Sequence, residues 1–281
     1  QYLSFKVDDG DFFKIDQKTI QESLRSLDLK TGILTITNLI KLNDGKELKV
    51  VAKKTADLKN YHNYYLQYEI QPLNFSGNVT VISQTDASIV NSNVERYKNL
   101  AKKHLSVDNI ENNEHETILL AHTNQSKIKL ALKTYLRFSQ IANADYSVNN
   151  TDEIATQFIE FPVSEGKTYS IEKDVAIFTS LETKTDIEQV INKYHFINDF
   201  AFNQKQAQIN WQQIWNKEDV TVTGDITAQK LLRLNSYSMT TAAQSHANKD
   251  LDTSVGSRGL TGEGYRGHVF WDELFDMNFY V

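Results

Sequence analysis

The sequence predicts a mainly β protein, an antiparallel β-sandwich that is followed by helices. Apolar and polar residues alternate with a period of two in several stretches before residue 182. Helical spacing of apolar residues first appears after Asp186. Many short strands joined by polar turns, with helices gathered later in the chain, favour a sandwich over a fold in which strands and helices alternate.

The clearest strand signal lies between Lys127 and Phe138. Apolar positions there alternate with polar ones and predict a half-buried antiparallel strand, with an inward set that includes Ile128, Leu130, Leu132 and Leu136. The same alternation occurs at Tyr64, Leu66, Tyr68 and Ile70 and at Val175, Ile177, Thr179 and Leu181. Shorter strand candidates are Ile33–Ile36, Leu48–Ala52, Val79–Ile82 and Ile118–His122.

The helical signals come in three groups. Helical spacing relates Ile187, Val190, Ile191 and Tyr194, and again Ala207, Trp211, Ile214 and Trp215. Trp211 and Trp215, four residues apart, are expected to pack rather than to bind a ligand. Gly224 and Asp225 then predict an N-cap for a helix from Ile226 to about Gln244. One helix cannot bury its own apolar face, so this last helix needs packing partners.

Composition excludes several classes of function. The chain has 281 residues, is 40% hydrophobic and carries a net charge of −6 without a basic block, so a nucleic-acid partner is not expected. No apolar run is long enough to span a membrane, which needs about 20 residues. Without cysteine there is no disulfide, thiolate nucleophile or Cys-ligated zinc. The seven histidines show no metal-ligand spacing, so no metal site is predicted.

The most informative stretch is glycine-rich and lies near the end of the sequence given, GSRGLTGEGYRGHVFWD from Gly256 to Asp272. Glycines let the backbone approach a ligand closely, and the interleaved charged and aromatic side chains suit a small polar ligand. The stretch also spells G-x-G-x-x-G from Gly262 to Gly267. A dinucleotide site would place that motif between a strand and a helix, and this context is absent here.

These residues give the chain a resemblance to glycoside hydrolase family 65, which comprises maltose, kojibiose and trehalose phosphorylases and related α-glucoside hydrolases. The run from Gly259 to Asp272 is nearly the family signature in full. Leu27–Gly32 resembles the segment that opens a strand of the family's N-terminal sandwich, Gln71–Gly77 resembles a strand-ending turn, and Asp219–Asn235 resembles the start of the catalytic barrel.

The resemblance implies a β-sandwich (supersandwich) over residues 1–185, incomplete at its start. A helical linker over 186–218 would follow, and then the first part of a truncated (α/α)6 barrel over 219–281. The family acid is a glutamate downstream of the signature. Glu263 and Glu273 do not occupy its position, so no catalytic residue is assigned to this chain.

Substrate recognition is what the resemblance assigns here. Trp271 would stack on the glucose being transferred, and Asp272 would accept hydrogen bonds from its hydroxyls. Tyr265, Arg266 and His268 would shape the loop over the same subsite, or serve the loop's own structure. The family commonly continues Trp-Asp-Thr-Glu-x-Phe, whereas this chain reads Trp271-Asp272-Glu273-Leu274-Phe275.

The leading expectation is an inverting hydrolase of α-linked glucose disaccharides, because the departure after Asp272 tilts against the phosphorylases. The first alternative is an inverting phosphorylase that uses inorganic phosphate and releases β-glucose 1-phosphate; neither needs a cofactor. The second is a non-catalytic carbohydrate-binding sandwich. Expected partners are the disaccharide and the remainder of the barrel, with a homodimer as an option. A hydrolase would be periplasmic or secreted and a phosphorylase cytoplasmic.

Overall fold

The computed structural model describes residues 2–14, 19–90, 99, 102–138, 141–183 and 185–243, and the single residues Val255, His268, Val269 and Trp271. The chain divides into two compact units, Gln1–Leu27 with Ile33–Ala207, and Asp28–Gly32 with Gln208–Val281. The strands are β1 (Tyr2–Val7), β2 (Ile20–Asp28), β3 (Ile33–Lys41), β4 (Glu47–Ala56), β5 (Asn63–Pro72), β6 (Gly77–Asp86), β7 (Leu105–Asn112), β8 (Glu116–Thr123), β9 (Lys129–Arg137), β10 (Asp145–Asn150), β11 (Ile154–Val163) and β12 (Tyr169–Thr179). The helices are α1 (Ile187–Lys193), α2 (Phe200–Glu218) and α3 (Ile226–Ala242).

The described strands form two antiparallel sheets. One has four strands in the order β1-β6-β11-β10, and the other has eight in the order β2-β3-β4-β5-β12-β9-β8-β7. The last strand in sequence, β12, therefore lies inside the larger sheet, where Val175 is opposite Tyr64 of β5 on one side and Thr134 of β9 on the other. The predicted mainly β fold with antiparallel strands is confirmed.

The main core joins the inner faces of the two sheets. Phe5, Val81 and Phe161 from the smaller sheet belong to the same buried cluster as Leu48 and Ile171 from the larger one. Each of these five side chains alternates with an outward-facing neighbour on its strand, which is the pattern of a sandwich whose inner faces pack together.

The position of strand β9 was predicted correctly, but the burial of its second face was not. Leu136 is buried between the sheets as expected, and Leu130 and Leu132 are half-buried. The alternate positions Ala131 and Lys133, expected on the solvent side, are 0% and 2% exposed. Helix α1 packs its apolar side chains against Ala131, so this strand is covered on both faces and the half-buried prediction is wrong there.

Helices α1 and α3 begin where the sequence indicated. Asp186 accepts a hydrogen bond from the Glu188 amide at the start of α1. At the start of α3, one carboxylate oxygen of Asp225 accepts from the amides of Thr227 and Ala228, both at 2.9 Å. The predicted N-cap is confirmed, and α3 ends at Ala242, close to the expected end.

Candidate functional site

Two of the five predicted sugar-binding residues are described. His268 and Trp271 are exposed, and 71% of Trp271 is accessible. Tyr265, Arg266 and Asp272 lie outside the described residues, as do Glu263 and Glu273. The grouping of the five residues around one sugar therefore stays a prediction.

The second unit contains an aromatic stack that packs α2 against α3. Trp211 stacks on Tyr237 of α3 with ring centroids 4.4 Å apart and lies 6.0 Å from Trp215. Trp215 donates its indole N–H to the carbonyl of Leu29 at 2.7 Å. Both tryptophans are buried, and their predicted packing role is confirmed.

Gly32 is required at the base of this stack for two reasons. Its φ of +66° lies in the left-handed region that glycine adopts without penalty. A Cβ atom at this position would collide with the indole ring of Trp211. The turn after β2 is thus shaped to receive a tryptophan from α2.

Polar contacts fix the connection between α2 and α3. Arg233 binds the carboxylate of Asp219 through two hydrogen bonds of 2.7 and 2.6 Å, a fork geometry that holds both groups in one orientation. These hydrogen bonds hold the pKa of Asp219 below its usual value. Gln229 donates to the carbonyl of Val220 and accepts from the amide of Val222.

The first unit buries ionisable groups on both faces of β12. Lys173 is fully buried and donates to the hydroxyl of Ser83 at 2.8 Å and to the carbonyl of Gln84 at 3.2 Å. Burial lowers the pKa of Lys173 to about 7. Asp174 is also fully buried, and burial raises its pKa to about 7 although Arg137 binds it at 2.7 Å and opposes the shift. Lys173 reaches the smaller sheet and Asp174 pairs with Arg137 of the neighbouring strand β9, so we assign both groups a structural role in the sandwich.

A polar cavity of about 320 Å³, which was not predicted from the sequence, also lies in the first unit. Its lining comes from Asp57–Tyr65 and from Tyr194–Gln206. The sequence pattern that could have indicated this cavity is the interleaving of amide and aromatic residues in Asn60–Tyr65 and Tyr194–Asn198. Two segments so far apart in sequence could not be paired without the fold.

Within the described part of the chain, no group of three or more His, Asp or Glu side chains is placed to hold a metal ion. None of the described helices has the length and apolar character needed to cross a membrane.

The family model for the N-terminal domain of glycosyl hydrolase family 65 matches residues 1–214. The chain belongs to glycosyl hydrolase family 65. The model for the family 65 central catalytic domain matches residues 233–281, a range that includes the glycine-rich signature.

Two curated relatives illustrate the relationship within family 65. Trehalose 6-phosphate phosphorylase of Lactococcus lactis subsp. lactis (strain IL1403) is 32% identical over 270 residues, which cover 95% of this chain and 34% of that protein. Kojibiose phosphorylase of Caldanaerobacter subterraneus subsp. tengcongensis is 27% identical over 289 residues, covering 97% of this chain and 36% of that protein. This family 65 chain thus spans about a third of the length of both relatives.

A solved structure agrees with the fold of this family 65 chain. It is described as "Putative kojibiose phosphorylase from human microbiome" and superposes with a TM-score of 0.77 over 96% of this chain and 34% of that one. Sequence identity is 17%, so the likeness concerns the fold alone.

Proposed function

We propose that the complete protein is an inverting disaccharide phosphorylase that acts on α-linked glucose disaccharides with inorganic phosphate as co-substrate. The supporting observation is that both relatives described above are named as phosphorylases. From the sequence alone, hydrolysis was favoured because Asp272-Glu273-Leu274 departs from the common family pattern. The relatives favour the phosphorylase alternative, and we adopt it in place of the hydrolase.

In the proposed reaction, a carboxylic acid protonates the glycosidic oxygen while a phosphate oxygen attacks the anomeric carbon from the opposite face. The bond to the leaving sugar breaks and a bond to phosphate forms, which gives β-glucose 1-phosphate and the free acceptor sugar. Water would replace phosphate in a hydrolase, with a carboxylate base to activate it. We assign the general acid to no residue of this chain.

The chain's proposed share of the site is glucose recognition. The exposed ring of Trp271 offers a flat apolar surface for the sugar, and Asp272 accepts hydrogen bonds from its hydroxyls. A charged acceptor makes stronger hydrogen bonds than a neutral one. Tyr265, Arg266 and His268 shape the loop above them. In this proposal residues 1–185 form the sandwich, 186–218 the linker and 219–281 the beginning of the (α/α)6 barrel.

The test is to incubate the complete protein with trehalose, trehalose 6-phosphate, maltose, kojibiose and nigerose, each with and without phosphate. Phosphate-dependent release of β-glucose 1-phosphate from at least one of them is expected. Glucose release that is independent of phosphate would restore the hydrolase. Saturable sugar binding without any turnover would favour the non-catalytic carbohydrate-binding sandwich.

A further inference from the structure

The cavity of about 320 Å³ in the first unit has one preformed wall. The hydroxyl of Tyr194 accepts hydrogen bonds from the side-chain amides of Asn60 at 2.8 Å and Asn63 at 2.6 Å. The hydroxyl of Tyr65 donates to Asp57 at 3.2 Å, and Asp57 in turn accepts from backbone amides of its own turn. These side chains are oriented before any ligand arrives, which lowers the entropic cost of binding.

The facing wall is anchored to the larger sheet. Arg137 donates to the carbonyl of Phe196 at 3.2 Å, and the amide of Phe200 donates to Glu172 at 2.9 Å. The rings of Phe196 and Tyr194 meet edge to face at 5.4 Å. Both ends of the segment between α1 and α2 are therefore held in place, and the cavity keeps its shape.

Between these walls, several lining groups are available to a ligand. The side chains of His195, Asn198 and Gln206 line the cavity, and no hydrogen bond links them to another described residue. Phe202, also in the lining, is 47% exposed and presents an apolar ring surface. Amide and imidazole groups can donate and accept hydrogen bonds, so the free groups match hydroxyls, which do the same.

The charge of the lining narrows the ligand class. Among the described residues of the lining, Asp57 is the one carboxylate and there is no lysine or arginine, so an anion would meet net repulsion. The volume lies at the small end of the range for ligand sites, roughly 300–1,000 Å³. We propose that this cavity binds a single neutral sugar ring through its hydroxyls, with Phe202 against its apolar face.

This inference does not rest on the proposed phosphorylase activity. The lining lies entirely in the first unit, whereas Trp271 and Asp272 belong to the second. A sugar held here would be bound without being cleaved, because the proposed ligand is a single ring and has no glycosidic bond.

The experiment titrates glucose into the chain while protein amide resonances are followed by NMR. Saturable shifts are expected in the native chain, with weaker shifts for the anionic glucose 6-phosphate. Asn198→Ala and Gln206→Ala remove free lining groups without breaking a hydrogen bond within the described structure, so both variants should fold. Each should weaken glucose binding about 2- to 10-fold, the effect of one neutral hydrogen bond.

Gln213→Ala, an exposed glutamine on the same helix outside the lining, is the matched control and should bind like the native chain. Trp271→Ala removes the other predicted sugar site and should leave unchanged the glucose-dependent shifts of the residues that line the cavity. The inference is overturned if the native chain shows no saturable glucose binding. It is equally overturned if the lining variants bind normally, or if Trp271→Ala alone abolishes the signal. Phosphorolysis by the complete protein is measured separately, so either proposal can fail alone.

Discussion

Lys173 and Asp174 are consecutive residues of β12, and their side chains are buried on opposite faces of the eight-stranded sheet. Lys173 reaches Ser83 and Gln84 of the smaller sheet, whereas Asp174 binds Arg137 of the neighbouring strand β9. Alternation along a strand sends neighbours to opposite sides. Because β12 has a neighbouring strand on each side, neither side chain is exposed to water.

Lys173→Met should remove a pH dependence of stability. Burial lowers the pKa of Lys173 to about 7 from 10.5, so the folded state loses its proton more readily than the unfolded state. The free energy of unfolding is therefore highest above 10.5, the pKa of Lys173 in the unfolded chain. It decreases as pH falls towards about 7, the pKa of Lys173 in the folded chain. In urea unfolding, the free energy of unfolding of the native chain should rise between pH 7 and 10, relative to the variant, by roughly 1 kcal/mol for each pH unit.

Lys129→Met is the control for that experiment, because Lys129 is an exposed lysine of β9. Its stability should follow the native pH profile. An identical profile for Lys173→Met would mean that Lys173 keeps an ordinary pKa in the folded chain.

Gly32→Ala should destabilise the second unit more than a strained backbone alone explains. Alanine at a positive φ costs about 1–2 kcal/mol, and the collision with Trp211 adds about 1–3 kcal/mol of overpacking. Gly224→Ala is the matched control in the same unit, since its φ is +91° and no described atom lies within 4 Å of the added Cβ. Thermal unfolding followed by tryptophan fluorescence would measure both, and equal losses would argue against the packing of Trp211 on this turn.

Asp225→Ala should weaken α3 at its first turn. The carboxylate satisfies two backbone amides that have no partner within the helix. Loss of such an N-cap costs about 1 kcal/mol, and Asp225→Asn should retain most of the stability. Hydrogen exchange at Thr227 and Ala228 reports the effect directly. Unchanged exchange in the alanine variant would show that other groups cap this helix.

In the complete protein, Asp272→Asn should reduce activity while leaving stability close to native. The amide keeps the shape of the side chain but removes the charge that strengthens hydrogen bonds to sugar hydroxyls. One such bond is worth roughly 1.5–3 kcal/mol, which corresponds to a loss of about 10- to 150-fold in kcat/KM. Steady-state kinetics and a melting curve separate the two effects. Near-native kinetics would remove Asp272 from the sugar subsite.

Trp271→Ala in the complete protein should raise KM through lost stacking area. Some loss of stability is expected, because a large aromatic side chain is removed. Trp271→Phe retains an aromatic ring and should recover part of the affinity, which a purely structural role in the loop would not require. Equal KM values for the native protein and Trp271→Ala would contradict the stacking role.

Alternation located strands, but it did not show which of their faces are covered. Tyr64–Ile70 and Val175–Leu181 were predicted as strands because apolar residues recur there at every second position. The first stretch lies within β5, and the second lies within β12 only as far as Thr179. Strand β2 was missed because eight of its nine residues are exposed, so its sequence has no apolar face to detect. The environment of Lys133 was predicted wrongly, because a lysine at an alternate position of a strand is usually exposed to solvent. Here its side chain is buried and forms an ion pair with Glu116 at 2.9 Å.

The glycine-rich signature and the polar cavity differ in how much of each could be predicted from the sequence. The glycine-rich signature is one continuous stretch, so its family could be predicted from residues alone, while the arrangement of Tyr265, Arg266 and Asp272 stays a prediction. The polar cavity needs Asn63 of β5 beside Tyr194 after α1. A contact across 131 positions depends on the strand order, which alternation does not determine.

The position of β12 has a consequence for how the chain is made. β5 and β9 each have one neighbour until residues 169–179 enter between them, and synthesis runs from the N-terminus at about 5–20 residues per second. For several seconds a nascent chain would therefore carry two half-sheets with unpaired edges, which are templates for joining other chains. Interruption before Tyr169 should leave an aggregation-prone piece, and shielding of the nascent chain by a chaperone would matter most just before this strand emerges.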